Sequence, residues 1–282
     1  MKRVNYLNFN LSWQTVRLLF LLLIVLTGKN VLSQTNYSPL YTSTNFVKTI
    51  DLSRPVGTVD GTAGTTATGG VTYTIPIYAP PGTNGMQPSV SIVYNSQGSS
   101  GVVGFGWNIA GLSMISRTGK NIYHNGQVKP VSYTAEDAFL LDGMRLNAIT
   151  GSNGANGTVY AGEAESFTKI ISITTGSVNN PDWFLVTAKD GSTMEFGNTA
   201  DSRILTDDGL NVMLWRLNRI IDINGNYIDF KYNNNSRDSR IDEINYTGNI
   251  TTGLLPYNKL KFTYGNRNEV NTGYDGGASL SS

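Results

Sequence analysis

The chain has 282 residues, with 21 Lys and Arg against 20 Asp and Glu, and no cysteine. That balance excludes the basic surface that nucleic-acid binding requires. The missing cysteines exclude disulfides, thiol catalysis, cysteine–zinc sites and a lipid anchor on cysteine. With 15% charged residues, 31 Gly and 15 Tyr, the composition is that of a β-rich, turn-rich exported protein.

Lys2, Arg3 and Arg17 precede a nine-residue apolar core, Leu18 to Leu26. Nine residues are too few to cross a bilayer comfortably. Val31-Leu32-Ser33 then places tolerated residues before a cleavage point, so residues 1–33 read as a signal peptide cut between Ser33 and Gln34. Cleavage removes Lys2, Arg3, Arg17 and Lys29, leaving 17 basic against 20 acidic residues, a net of −3. No membrane insertion and no nucleic-acid partner are expected of the mature chain. Residues 34–68, rich in Ser, Thr, Asn and Gly, read as a flexible lead-in with one short strand at Phe46 to Leu52.

From Gly69 the pattern changes. Val71, Tyr73, Ile75 and Ile77 alternate with polar residues and predict a half-buried strand, at an edge or bulged because Pro76 lacks an N–H. The turn-rich APPGTNGMQP follows, then a second alternating run through Val90, Ile92 and Tyr94. Gly101 to Leu112, centred on Phe105 and Trp107, predicts a packed glycine-rich loop. The runs TYTIPIYAPPGTNGMQPSVSIVYNSQ and GFGWNIAGLSMISR resemble the N-terminal signature of the Salmonella virulence plasmid protein B (SpvB) family. That family shares the region with the B subunits of insecticidal toxin complexes.

Downstream, Asn121 to Val131 predicts a strand, a turn at Asn125-Gly126 and a return strand. In DAFLLDGMRL, Asp142-Gly143 as a two-residue turn pairs Leu141 with Met144 and Phe139 with Leu146 on one face. This segment also resembles the family. Ala148 to Gly157 predicts a loop, and Val159 to Ile173 one or two strands. The same turn logic at Asp190-Gly191 puts Trp183 and Leu185 on the face of Met194 and Phe196. At Asn224-Gly225 it pairs Ile223 with Asn226, Ile221 with Ile228, Arg219 with Phe230 and Leu217 with Tyr232.

This last hairpin, RIDEINYTGN after it, and the strand in KLKFTYGNRNE resemble the tyrosine–aspartate repeats of Rhs-type proteins. Such units stack because one hairpin cannot bury its own apolar face. The chain divides on this reading into a 69–205 SpvB-like N-terminal β domain and a 206–282 Rhs-like hairpin region, truncated within a larger architecture.

Few residues suggest chemistry. Asp222, Asn224 and Asn226 alternate like calcium ligands, but glycine sits fourth and Asn233 stands twelfth, so a turn explains them better. Glu163-Ala-Glu165 matches the Glu-x-Glu of ADP-ribosyltransferases, without a suitably placed Ser-Thr-Ser strand or arginine; Thr42-Ser43-Thr44 lies in the lead-in. His124 is the sole histidine and sits by a turn. Trp107, Trp183 and Trp215 lie in apolar runs and read as core rather than sugar platforms. No catalytic, cofactor-binding or metal-ligating residue is singled out, and no cofactor is expected.

The expected fold is all-β, successive antiparallel hairpins forming part of a curved sheet shell. What the resemblance implies is a non-catalytic, encapsulating N-terminal segment of a secreted protein. Its partners are then the rest of the shell or a C-terminal toxin polypeptide. A surface adhesin or glycan-binding module is the alternative, and a carboxylate hydrolase ranks last. Export predicts that the secreted protein has an intact mass lacking residues 1–33; a mass that includes them would refute cleavage.

Overall fold

The computed structural model describes residues 60–176, 179–235, 238–265, 272–275 and 278–281. The predicted signal peptide, most of the lead-in and the strand at 46–52 lie outside the described residues. The described part is almost wholly antiparallel sheet, as the alternating patterns require.

A first sheet has six strands: β1 (Thr62–Thr65), β2 (Val71–Pro76), β3 (Ser91–Asn95), β4 (Ser100–Gly101), β5 (Gly104–Phe105) and β6 (Trp107–Ala110). The β2–β3 hairpin sets Tyr73 opposite Tyr94 and Ile75 opposite Ile92. β1 pairs with β2 only along Val71–Thr74. Pro76 therefore sits past the end of β1, where its missing donor breaks no ladder. The glycine-rich segment forms short strands rather than a packed loop. Phe105 at its tip is 71% exposed, and Trp107 is half-buried with its ring 5.2 Å from that of Tyr94.

The larger sheet holds β7 (Met114–Thr118), β8 (Ala138–Leu141), β9 (Met144–Thr150), β10 (Val159–Gly162), β11 (Lys169–Ile173), β12 (Trp183–Thr187), β13 (Thr193–Phe196), β14 (Arg203–Leu205), β15 (Val212–Ile221), β16 (Asn226–Asn235), β17 (Asp238–Asn249) and β18 (Asn258–Lys261). β19 (Thr272–Asp275) and β20 (Ala278–Ser281) form a separate hairpin. Each strand from β7 to β13 pairs with the next, and β15 pairs with both β7 and β13. Eight strands thus close into a ring, drawn from both sides of residue 205. Closure removes two sheet edges. Beyond the ring, β15 continues into the ribbon β15–β16–β17–β18.

The barrel is filled by inward side chains. Ile115, Phe139, Tyr160, Ile170, Phe184, Val186, Phe196 and Trp215 are at most 1% exposed. Phe184 meets Phe139 at 5.1 Å and Trp215 at 5.0 Å between ring centroids, both edge to face. The ribbon contributes Ile228, Phe230, Tyr232, Ile241, Ile244 and Tyr246, which are buried. Ile77, Ala79, Met86, Val90 and Ile109 of the first sheet and its connections join the same core. Tyr246 ties the two together by donating to the Pro80 carbonyl at 3.0 Å.

The Asp142-Gly143 hairpin has the expected register, with Leu141 opposite Met144 and Phe139 opposite Leu146. Both turn residues take left-handed φ, +49° and +84°, as a two-residue turn of this type requires. β9 runs to Thr150, three residues into the expected loop. The other two hairpins are shifted by one residue. Thr187 pairs with Thr193 and Phe184 with Phe196, so Phe184 and Val186, not Trp183 and Leu185, face the core. Arg219 pairs with Asp229, Ile220 with Ile228 and Ile221 with Tyr227. Ile223 is left 74% exposed at the turn. In both cases the loop has three residues, closed by Ala188 with Ser192 and by Asp222 with Asn226. Only the glycine, Gly191 or Gly225, turns left-handed, at φ +82°. One added turn residue inverts every face downstream.

At Asn121 to Val131 the expected hairpin is replaced by one helical turn, α1 (Ile122–Asn125). The Asn121 side chain accepts from the His124 amide, and Gly126 closes the turn at φ +67°. Asn-Gly here serves as a helix C-terminus rather than a hairpin turn. A single bridge, Lys120 with Lys129, closes the loop.

The packing sets a contrast. Phe184→Ala should lower unfolding free energy by about 3–5 kcal/mol through the cavity it leaves. Phe105→Ala should change it by less than about 0.5 kcal/mol. Urea denaturation of the two variants checks both; equal effects would contradict the filled barrel.

Candidate functional site

Among the described residues, an ion pair buried inside the barrel joins Arg117 to Asp137, their side chains 0% and 2% exposed. Arg117 follows Ile115 by two on β7, so the strand alternation points both inward. Its guanidinium sits above the aromatic cluster, 5.2 Å from the Phe139 ring centre and 5.6 Å from that of Trp215. Its Nε donates to the Val212 carbonyl at 3.3 Å and Nη2 to the Asn179 carbonyl at 3.1 Å. Nη1 reaches Asp137 Oδ2 at 3.4 Å. Asp137 also accepts from the amides of Ser132 and Tyr133 at 2.8 and 2.6 Å.

Burial pushes the Arg117 guanidinium below its ordinary value, while the charge of Asp137 and its hydrogen bond oppose that. The pair is therefore a plug that fastens β7, β15 and the 132–137 and 179–180 loops at one end of the ring. It holds no reactive geometry, since every Asp137 oxygen is engaged by donors of the fold.

The other sequence candidates are spread apart. Asp222 Oδ1 accepts from the amides of Asn224 and Asn226 at 2.9 and 2.8 Å, and Oδ2 takes the Asn226 side chain at 2.8 Å. Those atoms are spent on the turn, as the sequence suggested. Glu165 accepts from the Phe167 amide at 2.6 Å. Glu163 faces His124 Nε2 at 3.1 Å, joining α1 to the β10–β11 loop. These two glutamates serve separate local contacts. Of the three tryptophans, Trp215 is fully buried and donates to the Pro181 carbonyl at 2.9 Å. Trp107 and Trp183 are half-buried. Among the described residues no group of three His, Asp or Glu could hold a metal ion, and no helix is long and apolar enough to cross a membrane.

The structure adds one site that the sequence reading passed over, the Arg117–Asp137 plug. The signal was present, because an arginine on the inward face of MISRT breaks the polar-out pattern.

Arg117→Met leaves Asp137 buried without its counter-ion. It should lower stability by about 3–5 kcal/mol. Adding Asp137→Asn should cost less than the sum of the single changes, by urea denaturation in a double-mutant cycle. Additive losses would mean that the two groups act independently.

Comparison with known proteins places this architecture. The crystal structure of TcdB2-TccC3 superposes with a TM-score of 0.62 at 16% identity, covering 80% of this chain and 14% of that one. The N-terminal domain of effector protein SpvB from Salmonella typhimurium strain LT2 superposes at 0.57 and 20% identity, over 74% of this chain and 83% of that domain. The Photorhabdus luminescens Tc holotoxin pore gives 0.52 at 17% identity, over 68% of this chain and 10% of that one. At these identities the likeness is one of fold. The chain spans only a small part of the long toxin-complex chains. No curated protein matches the sequence. The family model described as SpvB, Salmonella virulence plasmid 65kDa B protein, matches residues 65–274. That span is well over half of the sequence, and the chain belongs to the SpvB family.

Proposed function

We propose that this chain is a structural, non-catalytic wall segment of a secreted SpvB or toxin-complex-like assembly that encloses a C-terminal toxin or effector polypeptide. The observation that carries the reading is the architecture itself. A filled, closed barrel continues into an open ribbon, and the Arg117–Asp137 pair inside the barrel is engaged by donors and acceptors of the fold. The matched relatives named above are an effector protein and toxin-complex structures, which supports the same reading. On it, residues 1–33 direct export, 34–68 form a lead-in, and the 69–205 β domain and 206–282 hairpin region make one continuous wall.

The ribbon supplies the growth point. Phe262 donates its amide to the Asp242 carbonyl, so the amides of Leu260 and Phe262 face β17. By alternation those of Lys259 and Lys261 face away. A further strand can pair there.

The test is co-expression with the polypeptide that the protein encloses, whether encoded in the same reading frame or the next. The two should co-elute in size exclusion, with the enclosed part resisting trypsin. Lys259→Pro removes one outward amide without touching the β17 ladder. It should leave the thermal melt nearly unchanged and speed trypsin cleavage of the enclosed part about tenfold or more. Separate elution, or a hydrolase activity abolished by one Asp or Glu substitution, would overturn the reading.

A further inference from the structure

From Gly61 to Ser116 the sequence holds no Asp, Glu, Lys, Arg or His. Every strand of the first sheet lies within that span. One face of this uncharged sheet carries an aromatic row. Tyr73 stands opposite Tyr94, and Tyr94 opposite Trp107, so three adjacent strands place three rings on the same side. The next row inward is Ile75, Ile92 and Ile109. The core takes in Ile109, whereas the three rings lie one row farther out and are half-buried. Glycines let the rings lie along the sheet. A Cβ on Gly106 would sit 2.7 Å from Tyr94 Cε2, and one on Gly61 would collide with the Tyr73 hydroxyl. Each of these rings thus fills the space of an absent side chain, and Gly106 also takes a φ of +76° that favours glycine. The Tyr94 and Trp107 ring centroids are 5.2 Å apart, with planes at 45°. At the same end of the sheet, the exposed Thr68 hydroxyl donates to the exposed Gln97 Oε1 at 2.7 Å.

We propose that this row is a stacking platform for a neutral, β-1,4-linked oligosaccharide, a role independent of the wall function. Sugar rings turn C–H faces toward the aromatic rings, whose negative π-faces attract them. Their hydroxyls meet the hydroxyl and amide groups of Thr68 and Gln97. Neighbouring strands lie about 4.8 Å apart, so the row spans roughly 10 Å, the length of about two sugar rings. A flat row of rings suits the flat ribbon of a β-1,4-linked chain rather than the coil of an α-1,4-linked one. The uncharged sheet gives a polyanion nothing to pair with. A polyproline segment needs a groove lined by aromatics, and these rings lie along a sheet face.

Calorimetric titration of the full chain tests this with cellohexaose, fully acetylated chitohexaose, maltohexaose, heparin and a proline decamer. Cellohexaose or the acetylated chitohexaose should bind with a Kd on the order of 0.1–1 mM, and the other three more weakly. Saturation-transfer NMR on the unaltered chain should mark the ring C–H protons of the bound sugar, a readout that needs no variant. Trp107→Leu removes a ring and should weaken the better sugar about tenfold, whereas Trp107→Phe keeps one and should weaken it no more than about threefold. Binding of neither β-1,4-linked sugar, binding of maltohexaose, heparin or the proline decamer as tightly as the better of the two, or a folded Trp107→Leu protein of unchanged affinity would each overturn the proposal.

Discussion

Strand β15 carries more of this structure than any other element, because both of its sides are paired along its length. Through Leu214–Arg216 it bonds to β7, and β14 lies on its opposite side at Val212–Trp215. Through Leu217–Ile221 it bonds to β13 and, from Arg219, to β16. A strand shared between a closed ring and an open ribbon must satisfy two curvatures, and a bulge provides the means. Phe196 pairs with Leu217, while Glu195 pairs with Arg219. Two positions on β13, Glu195 and Phe196, therefore match three on β15, Leu217, Asn218 and Arg219. The extra residue, Asn218, is buried. Its side chain donates to Glu195 at 3.1 Å and accepts from the Asn198 amide at 2.9 Å. The Asn218 carboxamide is thus satisfied at both its oxygen and its nitrogen, and the apolar core runs on from the barrel into Ile228 of the ribbon.

That bulge explains part of what could be read from the sequence and part of what could not. The alternation of the longer strands was legible because apolar residues recur at every second position, whereas the short strands of Gly101–Ala110 and the helical turn at Ile122–Asn125 were not. The Asp142-Gly143 register was legible as well. The other two turns contain the same dipeptide type, yet they take one more residue. The difference lies in where the turn carboxylate or amide finds its partners. Asp142 is held from outside the hairpin, by the Met114 amide and the Ser113 hydroxyl. Asp190 instead accepts from Ser192 within its own turn, and Asp222 from Asn224 and Asn226 within its own. Those internal bonds curl the backbone into a three-residue loop. The residue after the glycine, Ser192 or Asn226, is the local sign of it. Ring closure itself is a pairing between segments far apart in sequence, and no turn residue encodes it.

The plug shows the same limit from the side of electrostatics. Arg117 could be placed on the inward face from Ile115 alone. Its partner Asp137 lies beyond α1, and its carbonyl acceptors at Val212 and Asn179 lie farther still. An inward arginine is tolerable only when such acceptors converge, and convergence is a property of the closed ring. The His124–Glu163 contact is of the same kind, because the fold brings together residues 39 apart that nothing at the Asn125-Gly126 turn pairs in advance.

The remaining question is physical: why the larger sheet stays open at one end. The ring has no free edge, whereas β18 at the end of the ribbon pairs on one side only, as β1 and β4 do in the first sheet and β14 does beside β15. At β18 the outward amides belong to Lys259 and Lys261, and lysine on an edge strand ordinarily repels an incoming strand. Here both ammonium groups are drawn back toward β17. Lys261 lies 2.8 Å from Asp242 and 3.3 Å from Glu243, and Lys259 lies 3.6 Å from Glu243. Hydrogen bonding to Asp242 also raises the Lys261 pKa, with a further contribution from Glu243. A neutralised lysine guards an edge poorly, so the same ion pairs that steady β17 and β18 leave the backbone amides open to a further strand. The edge is thus lightly protected rather than sealed, as the proposed wall role requires.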